Sequence, residues 1–82
     1  MNYSYVIIED ESTQITSLKE QLLGFPEFLY KGSAGTLSSA IALVMQSRPN
    51  LIFLDAQLGS ESGFDLLRAT RENSIDFPFV VI

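Results

Sequence analysis

Short apolar runs alternate along the chain with segments whose apolar residues recur at helical spacing. Ser4-Tyr5-Val6-Ile7-Ile8 is β-branched and aromatic and reads as a strand. From Ser12 to Leu23, Ile15, Leu18 and Leu22 fall at i, i+3 and i+7, the spacing of one helix face. Ser12 is the expected N-cap, and Gly24 ahead of Phe25-Pro26 is a stop signal. Phe28 to Gly32 reads as a second, shorter strand of mixed character, suited to a sheet edge, with Ser33-Ala34-Gly35 as a turn. Thr36 is placed to cap a second helix. Its stripe of Leu37, Ala40, Ile41, Val44 and Met45 suits packing on a sheet. Ser47-Arg48-Pro49-Asn50 ends it.

Leu51-Ile52-Phe53-Leu54 is then a continuous apolar run, the pattern of a strand buried on both faces, and it runs straight into Asp55. A polar loop covers Ala56 to Glu61. Ser62-Gly63-Phe64-Asp65 fits a capping box opening a third helix, with Phe64, Leu67 and Arg71 on one side, Leu66 and Ala69 flanking, and Asn73-Ser74 as breaker. Phe79 to Ile82 reads as a fourth buried strand. Strands alternating with helices predict parallel βαβ units with right-handed crossovers. The expectation is one α/β domain over residues 1–82, without linker or repeat.

Composition sharpens this picture at two points. There is no Cys and no His, so disulfides, thiolate chemistry and imidazole catalysis are excluded. The net charge is −5, and Glu9-Asp10-Glu11 accounts for most of it, since elsewhere seven acids face five bases. No basic footprint for nucleic acid is present. Nor is there an apolar stretch near the roughly 20 residues of a membrane span, or a signal-peptide pattern. The chain reads as cytoplasmic. A chain of 82 residues buries only about 60–65% of its unfolded surface, so its stability should be modest.

The acids acquire a role through the sheet. Parallel strands end on one edge, so Glu9-Asp10 and Asp55 converge if their strands are neighbours about 4.8 Å apart. Converging carboxylates repel, and either a raised pKa or a bound cation relieves them. An all-oxygen donor set favours a hard ion, and Mg²⁺ fits best. Such an ion would hold a phosphoryl donor beside a carboxylate nucleophile, for which Asp55 is the candidate. The plainer alternative is that Asp55 only ends its strand, Asp being a common turn residue.

Val6-Ile7-Ile8-Glu9-Asp10-Glu11, then Leu51 to Asp55, then Gly63-Phe64-Asp65-Leu66-Leu67 together resemble the receiver domain of bacterial two-component response regulators. The resemblance covers almost the whole chain. It implies a flavodoxin-like (CheY-like) three-layer sandwich with the order 2-1-3-4 for the four strands present, the fold that general rules for doubly wound sheets give for that family. It further implies that Asp55 accepts a phosphoryl group from a sensor histidine kinase. Asp10 would ligate Mg²⁺ directly, Glu9 through water, and the Gln57 backbone carbonyl would complete the protein ligands. The domain would be a phosphoacceptor and no enzyme beyond its own phosphotransfer. Phe25-Pro26-Glu27-Phe28 and Leu58 to Leu67 look most like receivers with a LytTR-type DNA-binding output domain.

Two departures stand out. Glu9 occupies a place where the family more often has Asp, and Gly59 the place of a frequent Pro. The family's hydroxyl residue after the fourth strand, its Lys after a fifth strand and the last two helices would lie beyond Ile82. Lys19 and Lys31 are not at strand C-terminal ends and cannot replace that Lys. The expectation is that Mg²⁺ binding survives, that phosphotransfer is weak or absent, and that the chain associates through its fourth strand or an uncovered sheet face. Three rival readings compete with this one. A haloacid-dehalogenase-like phosphatase would need a second Asp where Gln57 stands. A dinucleotide-binding unit would need a Gly-rich turn where Glu9-Asp10-Glu11 stands. A phosphorylation-independent interaction module is the third.

Overall fold

β1 (Tyr3–Ile8) sits at the middle of the molecule because its side chains are apolar on both faces. In this computed structural model, residues 2–73 and 79–82 are described. Val6 and Ile8 point one way into the main core, and Tyr5 and Ile7 are buried on the other face. β2 (Phe28–Ala34) pairs with β1 on one side and β3 (Leu51–Leu54) on the other, both in parallel. A short antiparallel ladder follows, β4 (Gln57–Leu58) and β5 (Glu61–Ser62). β6 (Phe79–Val81) pairs in parallel with β3. The main sheet thus has the order β2-β1-β3-β6, which is 2-1-3-4 among its own strands, as the resemblance implies.

β2 is longer than its turn-like sequence suggests. Ser33 and Ala34 pair with Ile7 and Ile8, so the expected turn is strand. The ladder prevails over local turn preference because Ala34 is small enough to be buried in the core. The register slips between Tyr5 and Val6, where Lys31 is skipped, a bulge on the edge strand.

α2 (Leu37–Ser47) follows its sequence closely. Thr36 and Ser39 form a reciprocal capping box: the Ser39 N–H donates to Thr36 Oγ1 at 3.2 Å, and the Thr36 N–H to Ser39 Oγ at 3.3 Å. Ala40 and Val44 enter the core, Leu37 and Ile41 pack against it, and Met45 stays exposed. The other two helices correct their expected starts. α1 (Ser12–Leu22) begins on Ser12 as its first helical residue; Glu11 occupies the cap without a side-chain cap bond. α3 (Phe64–Glu72) is capped by Gly63, and the Ser62-to-Asp65 box does not form. Ser62 Oγ instead accepts the Phe64 N–H at 3.2 Å.

The inner face of α3 is Leu66 and Thr70, one helical turn apart, whereas Phe64 is 50% exposed. Thr70 satisfies its buried hydroxyl by donating to the Leu67 carbonyl at 2.9 Å. Asn73 closes the helix; the companion breaker, Ser74, lies outside the described residues.

β3 is buried on one face only. Ile52 and Leu54 meet α2 and α3 in the core, while Leu51 and Phe53 are half-buried. On that second face Phe53 meets Tyr5 edge-on at 5.8 Å, and Tyr5 meets Tyr30. α1 covers the β2 side of this face, with Lys19 Nζ 4.1 Å over the Tyr30 ring. Over β3 and β6 a groove of about 490 Å³ remains, lined by Ile7, Leu18, Phe53, Val81 and Ile82 among others. A continuous apolar run was therefore a correct sign of a parallel strand but not of full enclosure.

Candidate metal and phosphoacceptor site

Backbone hydrogen bonds carry the sheet one residue past its strand ends, and these residues are the acids. The Glu9 N–H donates to the Ala34 carbonyl, and the Asp55 N–H to the Ile8 carbonyl, both at 2.9 Å. Because Ile8 is in register with Leu54, Glu9 and Asp55 follow as side-by-side neighbours. Asp10 comes next on the same edge. One oxygen from each of Glu9, Asp10 and Asp55 lies within 4.8 Å of the other two. The sheet thus brings together the three carboxylates that the sequence singled out.

Each of these carboxylates accepts a backbone N–H. Glu11 donates to Glu9 Oε1 at 3.3 Å, Gln57 to Asp55 Oδ1 at 3.1 Å, and Gly59 to Asp10 Oδ2 at 3.1 Å. Such charge-assisted bonds offset part of the mutual repulsion. The balance is incomplete at Glu9. Burial lifts its carboxyl above the ordinary range, and the charge of Asp55 with hydrogen-bond contact to Asp10 and Asp55 adds to this; the Glu11 N–H works the other way.

Gln57 stands at the start of the β4–β5 ladder. The Gly63 N–H donates to the Ala56 carbonyl at 2.8 Å, so Ala56 and Gly63 form a hydrogen-bonded pair. By the alternation of antiparallel ladders the next pair, Gln57 with Ser62, is not hydrogen-bonded. The Gln57 peptide groups then turn away from β5, as its N–H on Asp55 shows. The donor set suits a small hard cation: three carboxylates, no His or Cys in the sequence, and an exposed Asp10 that leaves the approach open.

Sequence reasoning missed several parts of this site. Leu58, inside the segment expected to be a polar loop, is buried. The Glu61 carboxylate crosses to the start of α2 and accepts the Leu37 N–H at 3.1 Å, supplying negative charge at a helix N-terminus with no acid in its own first turn. Gly59 contributes a main-chain donor, for which no side-chain pattern exists.

Comparison with known proteins gives the family and the fold. The family model described as "Response regulator receiver domain" matches residues 5–82. The sensory transduction protein LytT of Bacillus cereus is 34% identical over 67 residues, covering 82% of this chain and 27% of that protein. The chain thus spans about a quarter of the length of the curated relatives it matches. Among solved structures, the anti-anti-sigma factor PhyR of Bartonella quintana, in complex with the anti-sigma factor NepR, superposes with a TM-score of 0.84 at 27% identity, over 98% of this chain and 32% of that one. A LuxR-family two-component response regulator from an Aurantimonas species superposes with a TM-score of 0.89 over 99% of this chain and 58% of that one. At 14% identity that likeness speaks for the fold alone.

Proposed function

This chain belongs to the response regulator receiver domain family, and on that premise we propose that Asp55 is its phosphoacceptor and that Glu9, Asp10 and Asp55 gather Mg²⁺. The observation that carries the reading is the meeting of three carboxylates within 4.8 Å at the carboxyl edge of β1 and β3. Asp10 and Asp55 would hold the ion directly, Glu9 through water, and the Gln57 carbonyl would complete the set. The ion, when bound, neutralises charge on the incoming phosphoryl group.

The Gln57 N–H engages Asp55 Oδ1 and steadies the carboxylate. An Asp55 oxygen bonds to phosphorus while the P–N bond of a kinase phosphohistidine breaks; its electron pair goes to the ring nitrogen, and the imidazole, which takes one proton from water, leaves neutral. The resulting acyl phosphate is the signal, read by an output domain; the resemblance of Phe25 to Phe28 and Leu58 to Leu67 to LytTR-type receivers supports a DNA-binding one. The test pairs Mg²⁺ titration, followed by amide NMR shifts, with acetyl phosphate labelling read by intact mass. We expect the shifts to centre on Asp10, Asp55 and Gln57. We expect a single slow adduct that needs Mg²⁺ and maps to Asp55. An adduct on another carboxylate, or no Mg²⁺ response at these residues, refutes the reading.

The same chain should associate with itself. Val81 and Ile82 are 47% and 68% exposed beside the groove over β3, and β6 has an unpaired edge among the described residues. Apolar edges of this kind template pairing with another strand. Light scattering after size exclusion should show dimers or larger species at high micromolar concentration. A clean monomer there would contradict this.

A further inference from the structure

Gly59 is drawn into the acidic site by conformation rather than by side chain. Its φ is +60°, in the left-handed region. Proline, with φ locked near −65°, cannot adopt it and has no N–H to give. That N–H donates to Asp10 Oδ2 at 3.1 Å, across 49 residues of chain. The carbonyl side of the same residue is also held, since Gln57 Nε2 donates to the Gly59 carbonyl at 2.8 Å. Gln57 in turn donates its backbone N–H to Asp55. A continuous chain of hydrogen bonds therefore runs from Asp55 through Gln57 and Gly59 to Asp10.

We infer that Gly59 is a positioning residue: its backbone N–H fixes the Asp10 carboxylate and ties the β4–β5 loop to the metal-binding edge. This rests on the reading of Asp10 as a Mg²⁺ ligand only for its effect on affinity; the tether itself is a property of the metal-free protein. Groups that orient a ligating carboxylate typically change metal affinity by about 10- to 100-fold when lost. One carboxylate oxygen of Asp10 accepts the N–H, and the other stays available. The loop and the carboxylate then move together.

Two measurements separate the tether from the metal reading. The first is amide hydrogen exchange in the metal-free chain, comparing wild type with Asp10→Ala. Removing the acceptor should speed exchange at Gly59 by about tenfold or more, with the core of β1 unchanged; equal rates at Gly59 overturn the inference. The second compares Gly59→Asn with Gly59→Pro, both checked for native circular dichroism. Asn keeps the N–H and tolerates left-handed φ, and a Cβ at this position meets only Asp10 Oδ2 at an ordinary 3.9 Å. Gly59→Asn should bind Mg²⁺ within about twofold of wild type, and Gly59→Pro about tenfold more weakly. Equal affinities for these two variants also overturn it. A wild-type chain that binds no Mg²⁺ refutes the metal assignment instead, and the exchange result still decides the tether.

Discussion

Gly63→Ala should remove a large part of the stability of this chain. A Cβ at position 63 would lie 2.1 Å from the Asp55 carbonyl oxygen and 3.1 Å from both the Asp55 carbonyl carbon and Leu54 Cδ1. The demand is for space and not for dihedral freedom, since Gly63 has φ −61° and ψ −25°, accessible to any residue. Backbone cannot swing aside as a flexible side chain can. Asp55 is fixed by its N–H bond to Ile8, and Gly63 by its own N–H bond to Ala56. Overpacking usually costs about 1–3 kcal/mol; against pinned backbone we expect about 3 kcal/mol or more.

The whole chain, at general per-residue values, is worth about 4–12 kcal/mol. The expected loss in Tm is about 12 °C or more, read by circular dichroism. Gly24→Ala is the control, because nothing lies within 4 Å of a Cβ there. A Gly63→Ala variant that melts within about 5 °C of wild type would disprove the steric account.

Asp55→Asn should act in opposite directions in two assays. Labelling by a phosphodonor should vanish, since the amide oxygen is no nucleophile of comparable strength and Glu9 and Asp10 are proposed to serve the ion. Metal-free stability should rise. Asp55 faces Glu9 and Asp10 at no more than 4.8 Å, and each such repulsion is worth about 1 kcal/mol in a water-like medium. The Gln57 N–H loses a charged acceptor, which returns part of the gain. The net expectation is about 1 kcal/mol, or about 4–8 °C in Tm. Saturating Mg²⁺ should reverse the ranking, because only the wild type keeps its full ligand set and gains binding free energy. A variant less stable than wild type without Mg²⁺ would refute the charge argument, and continued labelling would refute the assignment of Asp55.

The sequence carried the main sheet and the acidic edge because both depend on coarse rules. Apolar runs mark strands, alternation with helices makes them parallel, and parallel strands place their following residues together. Glu9, Asp10 and Asp55 needed nothing finer. What escaped depended on geometry below that scale. Leu66 and Leu67 are adjacent in a nine-residue helix, and spacing alone could not say which of them faces inward. Ser12 was a sound cap by residue type, but its position is one residue inside the helix. The β4–β5 ladder is two residues long on each side, too short for any periodic pattern. The Gly59 N–H belongs to the backbone and appears only once φ is known.

α1 contributes no fully buried residue; Ile15, Leu18 and Leu22 reach the sheet only in part. The exposed positions of α1, such as Thr13, Thr16 and Glu20, tolerate substitution within about 0.5 kcal/mol. Its outer face can therefore drift across lineages at almost no cost to folding. The acidic edge at its N-terminal end has no such freedom. An evolving family can in this way vary the outside of α1 while leaving the arrangement of its acidic edge untouched.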